Sequence, residues 1–194
     1  GEQPQAEGLA LFRMELGAEH VVAADNGGDL LPGFEAALAW ETVSDDPLWR
    51  EMADGIAELA LTRFIDPATG ALREFFDADW QPAPGGEGHI IEPGHQFEWC
   101  WLLTMWARAR NRADALSAAS RLFAIASGHG ICPDRGVAIM QLRDDFSPLD
   151  PLARLFGQFG SALIQIADRV IDPLQGGVHP LDGDATGGKT GGKS

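Results

Sequence analysis

A chain of 194 residues with 45% apolar residues, six Trp and ten Phe but no Tyr can build one domain with a real core; about 150 residues already hide roughly 68–70% of the unfolded surface. The net charge of −15, from 14 basic and 29 acidic residues, repels polyanions and argues against nucleic acid as a partner. No apolar run approaches the roughly 20 residues that span a bilayer and no leader peptide opens the chain, so no membrane partner is expected. Cys100 and Cys132 lack metal-ligand spacing and read as free thiols, which points to a reducing, cytoplasmic setting. Gly1 in place of Met suggests a fragment or a processed product.

Residues 1–33 read as an irregular N-terminal arm, closed by the loop chemistry of Asn26-Gly27-Gly28-Asp29 and Pro32-Gly33. From Phe34 a helical stripe of Phe34, Ala37, Leu38 and Trp40 runs to the turn Ser44-Asp45-Asp46-Pro47. There Pro47 should open a second helix behind an Asp cap, with Met52, Ile56, Leu59, Ala60 and Phe64 on its buried face. Helices are predicted over 95–110 and 112–127, joined by so short a link that they must be antiparallel, and a longer one over 150–170. The Arg108, Arg110 and Arg112 charges read as a solvated helix end. Irregular stretches at 72–76 and 136–142 suggest short strands or hairpins capping one end of the helices.

Phe64-Ile65-Asp66-Pro67-Ala68-Thr69-Gly70 recurs as Val170-Ile171-Asp172-Pro173-Leu174-Gln175-Gly176, with Cys132-Pro133-Asp134-Arg135-Gly136 in the corresponding place between. A stop signal repeated after successive helices implies stacked helical hairpins, an all-α architecture over residues 34–177. Residues 178–194 read as a flexible Gly/Lys tail. Its two phosphate-loop patterns, 183–190 and 187–194, lack the strand before and the helix after that such a loop requires.

Chemistry concentrates where Pro93-Gly94 lets a helix begin. His95, Glu98, Trp99, Leu102, Met105 and Trp106 fall on one face at three- and four-residue spacing. His95 and Glu98, three apart, are placed to touch; the carboxylate would raise the imidazole pKa and the helix N-terminus lower it, holding an acid/base near neutrality. Trp99 and Trp106 on the same stripe offer flat apolar faces to a ligand ring. Arg73 and Glu74 from the hairpin mouth, and Arg154 from the last helix, are further candidates for substrate contact or for simple pairing. His20, His89, His129 and His179 form no pair with metal spacing and read as surface residues, with His179 alone late enough in the chain to stand as a second acid/base.

Two stretches carry a family resemblance: Leu61-Thr62-Arg63-Phe64 through Asp66-Pro67-Ala68-Thr69-Gly70-Ala71-Leu72-Arg73-Glu74-Phe75-Phe76, and Glu92-Pro93-Gly94-His95-Gln96-Phe97-Glu98-Trp99. Over roughly 34–177 the chain resembles the N-acylglucosamine 2-epimerase family, with its mannose isomerase, mannose-6-phosphate isomerase-like and cellobiose 2-epimerase relatives. The resemblance implies a partial (α/α)6 toroid and proton transfer at C2 of a small-molecule aldose of mannose, glucose or N-acylhexosamine type, phosphorylation left open, without metal or cofactor. His95 would be general base or acid, Glu98 its support, and Trp99 and Phe156 substrate-facing. Three departures stand out: Pro32 replaces a substrate-contacting His, Phe156 and Gly160 replace a Trp and a Glu, and the chain ends soon after Gly177, before the segment that would carry a second His. An isomerase or epimerase is therefore expected, with a catalytically incomplete family fragment as the alternative. A protein-binding scaffold would leave the His95 segment unexplained. An open half-toroid would expose apolar faces and favour association between copies.

Overall fold

The structure, a computed structural model, describes residues 30–150. Helix α1 spans Leu31–Glu41, three residues earlier than the stripe suggests. Pro32 and Gly33, read as loop chemistry, stand in its first turn, where the backbone N–H that proline lacks has no intrahelical partner to lose. Leu31, Phe34, Ala37 and Leu38 are buried, whereas Trp40 turns outward, 52% exposed and stacked on Trp49 at 5.5 Å. Helix α2, Pro47–Leu59, begins as expected: the Asp46 carboxylate accepts the Leu48 N–H at 3.0 Å, and Pro47 is the first helical residue. One π-helical turn, Ala60–Phe64, continues it and leaves Phe64 fully buried.

Helices α3, Pro93–Arg110, and α4, Ala113–His129, are linked by Asn111 and Arg112, with Asn111 left-handed at φ 55°. Phe97 packs on Phe123 at 5.9 Å, and Gly130, just past α4, lies against Pro93 at the start of α3, so the pair is antiparallel. Glu41 meets Arg50 while Gly33 lies against Met52 and Ile56, which makes α1 and α2 antiparallel too.

Helix α3 is the centre. Phe97, Trp99, Cys100, Leu102, Leu103, Thr104, Trp106 and Ala107 are all buried, so the single stripe widens to a helix covered on most sides, as expected of an element between two layers. The solvated end expected at Arg110 is corrected. Its side chain is 8% exposed and bonds Glu41 at 2.9 Å and Asp54 at 2.7 Å, tying α1 and α2 to α3. Asp54 also accepts the Trp106 indole N–H at 2.7 Å.

Short strands gather at the end of α3 that carries His95. β1 (Ile90–Ile91), β4 (Gln141–Arg143) and β5 (Pro148–Asp150) form an antiparallel sheet in the order β1-β4-β5; β2 (Ile131–Cys132) pairs antiparallel with β3 (Val137–Ala138). The stretch 136–142 is thus divided between two sheets, and 72–76 forms the bridges Ile65 to Leu72 and Phe76 to Pro82 rather than a named strand. The two described copies of the repeat are the same turn: Gly70 N–H bonds Asp66 O at 2.7 Å and Gly136 N–H bonds Cys132 O at 2.8 Å, with both glycines left-handed, at φ 77° and 63°. Asp150, expected to open a helix, closes β5. The rest of that helix, the third copy of the turn, the arm through residue 29 and the C-terminal tail lie outside the described residues. The fold is helix-rich, and no described helix is long and apolar enough to cross a membrane.

Candidate active site

Backbone chemistry at the start of α3 sets His95 in place. Glu92 is extended, Pro93 opens the helix, and the third helical residue is His95. The next side chain, Gln96, is fully buried and works like a strand: its Oε1 accepts the Leu72 N–H at 2.9 Å and its Nε2 donates to Leu72 O at 2.8 Å. This pins the irregular segment 72–74 to α3, and Glu74 N–H is held in turn by Ile90 O at 3.1 Å. Glu74 therefore stands behind His95, its Oε2 2.8 Å from His95 Nδ1. Glu92 Oε2 is 3.6 Å from the same nitrogen, while Glu92 Oε1 accepts Gln141 Nε2 from β4 at 2.9 Å.

Electrostatics follow from burial. Glu74 is completely buried, and loss of water pushes its carboxyl above the ordinary range against the pull of the His95 ring. Burial also works to lower the His95 pKa, but the hydrogen bond and charge of Glu74, with the charges of Glu92 and Glu98, outweigh it and hold the imidazole at about 9. The near-neutral value anticipated from helix position and one carboxylate is corrected: three carboxylates converge on this ring. With Nδ1–H donated to Glu74, the neutral ring carries its lone pair on Nε2. The side chain remains 26% exposed, and Nε2 is the ring nitrogen that the bond to Glu74 leaves available.

The expected contact between His95 and Glu98 is replaced by that to Glu74. Glu98 influences the ring through charge alone; half-buried, it is raised above its ordinary value by burial, opposed by His95 and reinforced by Glu35 of α1. Trp99 and Trp106 present no open faces: both are buried, Trp99 packed against Phe34 at 5.6 Å and Phe64 at 5.9 Å. Arg73 is occupied by Asp66 Oδ2 at 2.9 Å and Gly88 O at 2.6 Å, with Asp144 3.8 Å away. Arg154 and Phe156 lie outside the described residues. His89 is exposed and bonds Asp144 at 2.5 Å beside a groove of about 600 Å³ that His95 does not line. Glu92, Gln96 and Gln141 went unread in the sequence. Glu92 had a signal, since it precedes His95 by one helical turn; Gln96 and Gln141 act across the fold and had none.

A family description, "N-acylglucosamine 2-epimerase (GlcNAc 2-epimerase)", matches residues 31–158. The chain is 57% identical over 127 residues to a mannose-6-phosphate isomerase of Rhizobium meliloti (strain 1021), covering 64% of this chain and 33% of that protein. It is 30% identical over 125 residues to a D-mannose isomerase of Pseudomonas cannabina pv. alisalensis, covering 57% and 30% respectively. The crystal structure of a D-mannose isomerase superposes with a TM-score of 0.65 at 20% identity, over 77% of this chain and 38% of that one. The chain thus shares that fold and spans about a third of the length of the curated relatives it matches.

Proposed function

The chain belongs to the N-acylglucosamine 2-epimerase family, and on that premise we propose that it performs proton transfer at C2 of an aldose, with His95 Nε2 as the base and the described helices as one wall of an (α/α)6 toroid reaching from about residue 34 to 177. The observation that supports this most is the buried Glu74 carboxylate on Nδ1, which fixes both the tautomer and the direction of the ring. Removal of the C2 proton by Nε2 leaves an enediolate. Return of the proton at C1, with the hydroxyl proton passing from O2 to O1, gives the ketose, and delivery of a proton to C2 from the opposite face by a second acid gives the epimer. Glu98, whose carboxyl burial raises above its ordinary range, acts on the His95 ring through its charge. Glu92, Glu98 and Glu35 make an acidic rim that accepts hydroxyl hydrogens and repels phosphate near the reacting carbons, so a 6-phosphate would lie at the far end of the sugar. Mannose and mannose 6-phosphate are the first sugars to try, because the similar proteins carry those names.

Incubation with each sugar, and with glucose and an N-acylhexosamine, in D2O should place deuterium at C2, read by NMR. His95→Ala should lower the rate by roughly 10²–10⁴-fold. Absence of exchange with every sugar would sink the reading. The alternative, a family member that holds sugar without turning it over, is favoured by Pro32, which the structure uses as the second residue of α1 where the resemblance expects a substrate-contacting His. Saturation-transfer signals from a sugar without any exchange would select it.

A further inference from the structure

Glu74 comes from the irregular segment 72–76 and Glu92 and His95 from the start of α3, and each offers one ligand atom within 4.8 Å of the other two. Nδ1 to the two carboxylate oxygens measures 2.8 and 3.6 Å. Metal–ligand bonds of about 2.0–2.1 Å in tetrahedral geometry separate their donors by roughly 3.3 Å, between those two values, so small side-chain adjustments would seat an ion. The donors are held from behind as metal ligands usually are: Gln141 fixes Glu92 through its other oxygen, and Gln96 fixes the backbone leading to Glu74. A second observation points the same way. Glu74 is wholly buried and its Oε1 has no hydrogen-bond partner of good geometry, although the Glu92 backbone N–H favours the charged carboxyl. A buried carboxylate oxygen without a good donor is costly, and a cation held by the Glu74 carboxylate would relieve that cost. Glu92, 18% exposed, gives the three donors their opening to solvent.

We propose that Glu74, Glu92 and His95 form a binding site for one first-row divalent cation of the zinc or cobalt kind, and that the occupied site is an off-state of the proton-transfer centre. One imidazole and two carboxylates suit such ions, with the remaining positions left to water. The exclusion is a matter of tautomer and rests on the reading of His95 as the base. An ion on Nδ1 takes the place of the Nδ1 hydrogen and leaves the ring hydrogen on Nε2, so Nε2 has no lone pair with which to accept a proton from carbon. The ion therefore inhibits without occupying the Nε2 side.

The test titrates the EDTA-stripped chain with ZnCl2 by calorimetry, and with CoCl2 by visible absorption. One ion per chain should bind at micromolar concentration, with affinity falling at least tenfold in Glu92→Gln and in His95→Gln, and retained in His89→Ala, which removes the exposed His–Asp pair as a competing site. Circular dichroism checks that each variant is folded. Absence of micromolar binding, binding that survives Glu92→Gln and His95→Gln, or binding lost in His89→Ala would each overturn the site. Binding is read independently of turnover, so a chain that binds zinc but exchanges no sugar refutes the proposed function and leaves the site standing. Full C2 exchange in the zinc-saturated chain would overturn the off-state.

Discussion

A carboxylate with no exposure persists only where another group shares its proton or its charge, and at Glu74 that group is the His95 imidazole. The pairing orients the ring and sets its titration. Since only the neutral ring can act as base, the rate of C2 exchange should rise with pH toward a midpoint near the His95 value of about 9. Glu74→Gln removes the strongest influence raising that pKa while burial, which lowers it, remains. The midpoint should therefore move to lower pH, and the plateau rate should drop by roughly 10²-fold or more because the ring loses its anchor. A full pH–rate profile of both proteins checks this. An unmoved midpoint would assign Glu74 to packing alone.

Among the elements, α3 carries the site, and its first turn is held by side-chain bonds rather than by a local cap. Gln96→Leu would leave the buried Leu72 N–H and C=O unpaired, a cost of about 2–5 kcal/mol, whereas Asp46→Ala removes one half-exposed cap bond worth about 1 kcal/mol. Urea denaturation should rank them in that order, and only Gln96→Leu should also slow exchange, because Glu74 follows Leu72 by two residues. The same contrast explains what could be read in advance. Asp46 and Pro47 act within one turn, so their sequence announced a helix start. The Asp66–Gly70 and Cys132–Gly136 turns were legible for the same reason. Glu74 and His95 meet across 21 residues, a distance that no periodicity spans, so the sequence showed the neighbour Glu98 and not the hydrogen-bond partner Glu74. Arg110 failed similarly: its partners Glu41 and Asp54 lie on other helices.

On the scale of the molecule, the order of the helices places the centre of the described core beneath the proposed chemistry. Trp99, one turn beyond His95, is wedged against Phe34 and Phe64, so α1, the π-helical turn and α3 share one aromatic cluster. The N-terminal end of α3 has a second support, the last turn of α4. A Cβ added at Gly130 would come within 2.4 Å of the Pro93 Cβ and 2.6 Å of Ala126 O, both closer than carbon tolerates, whereas one added at Gly128 would meet nothing within 4 Å. In genetic terms the site is therefore larger than its chemistry. A saturation library over residues 113–130, scored for exchange and for soluble yield, should show position 130 accepting glycine alone and position 128 accepting alanine freely. Equal tolerance at the two positions would mean that His95 keeps its place without α4. The contact at Gly130 gives a residue 35 positions from His95 a hold on the proposed active site, invisible to any survey confined to the residues proposed to touch substrate.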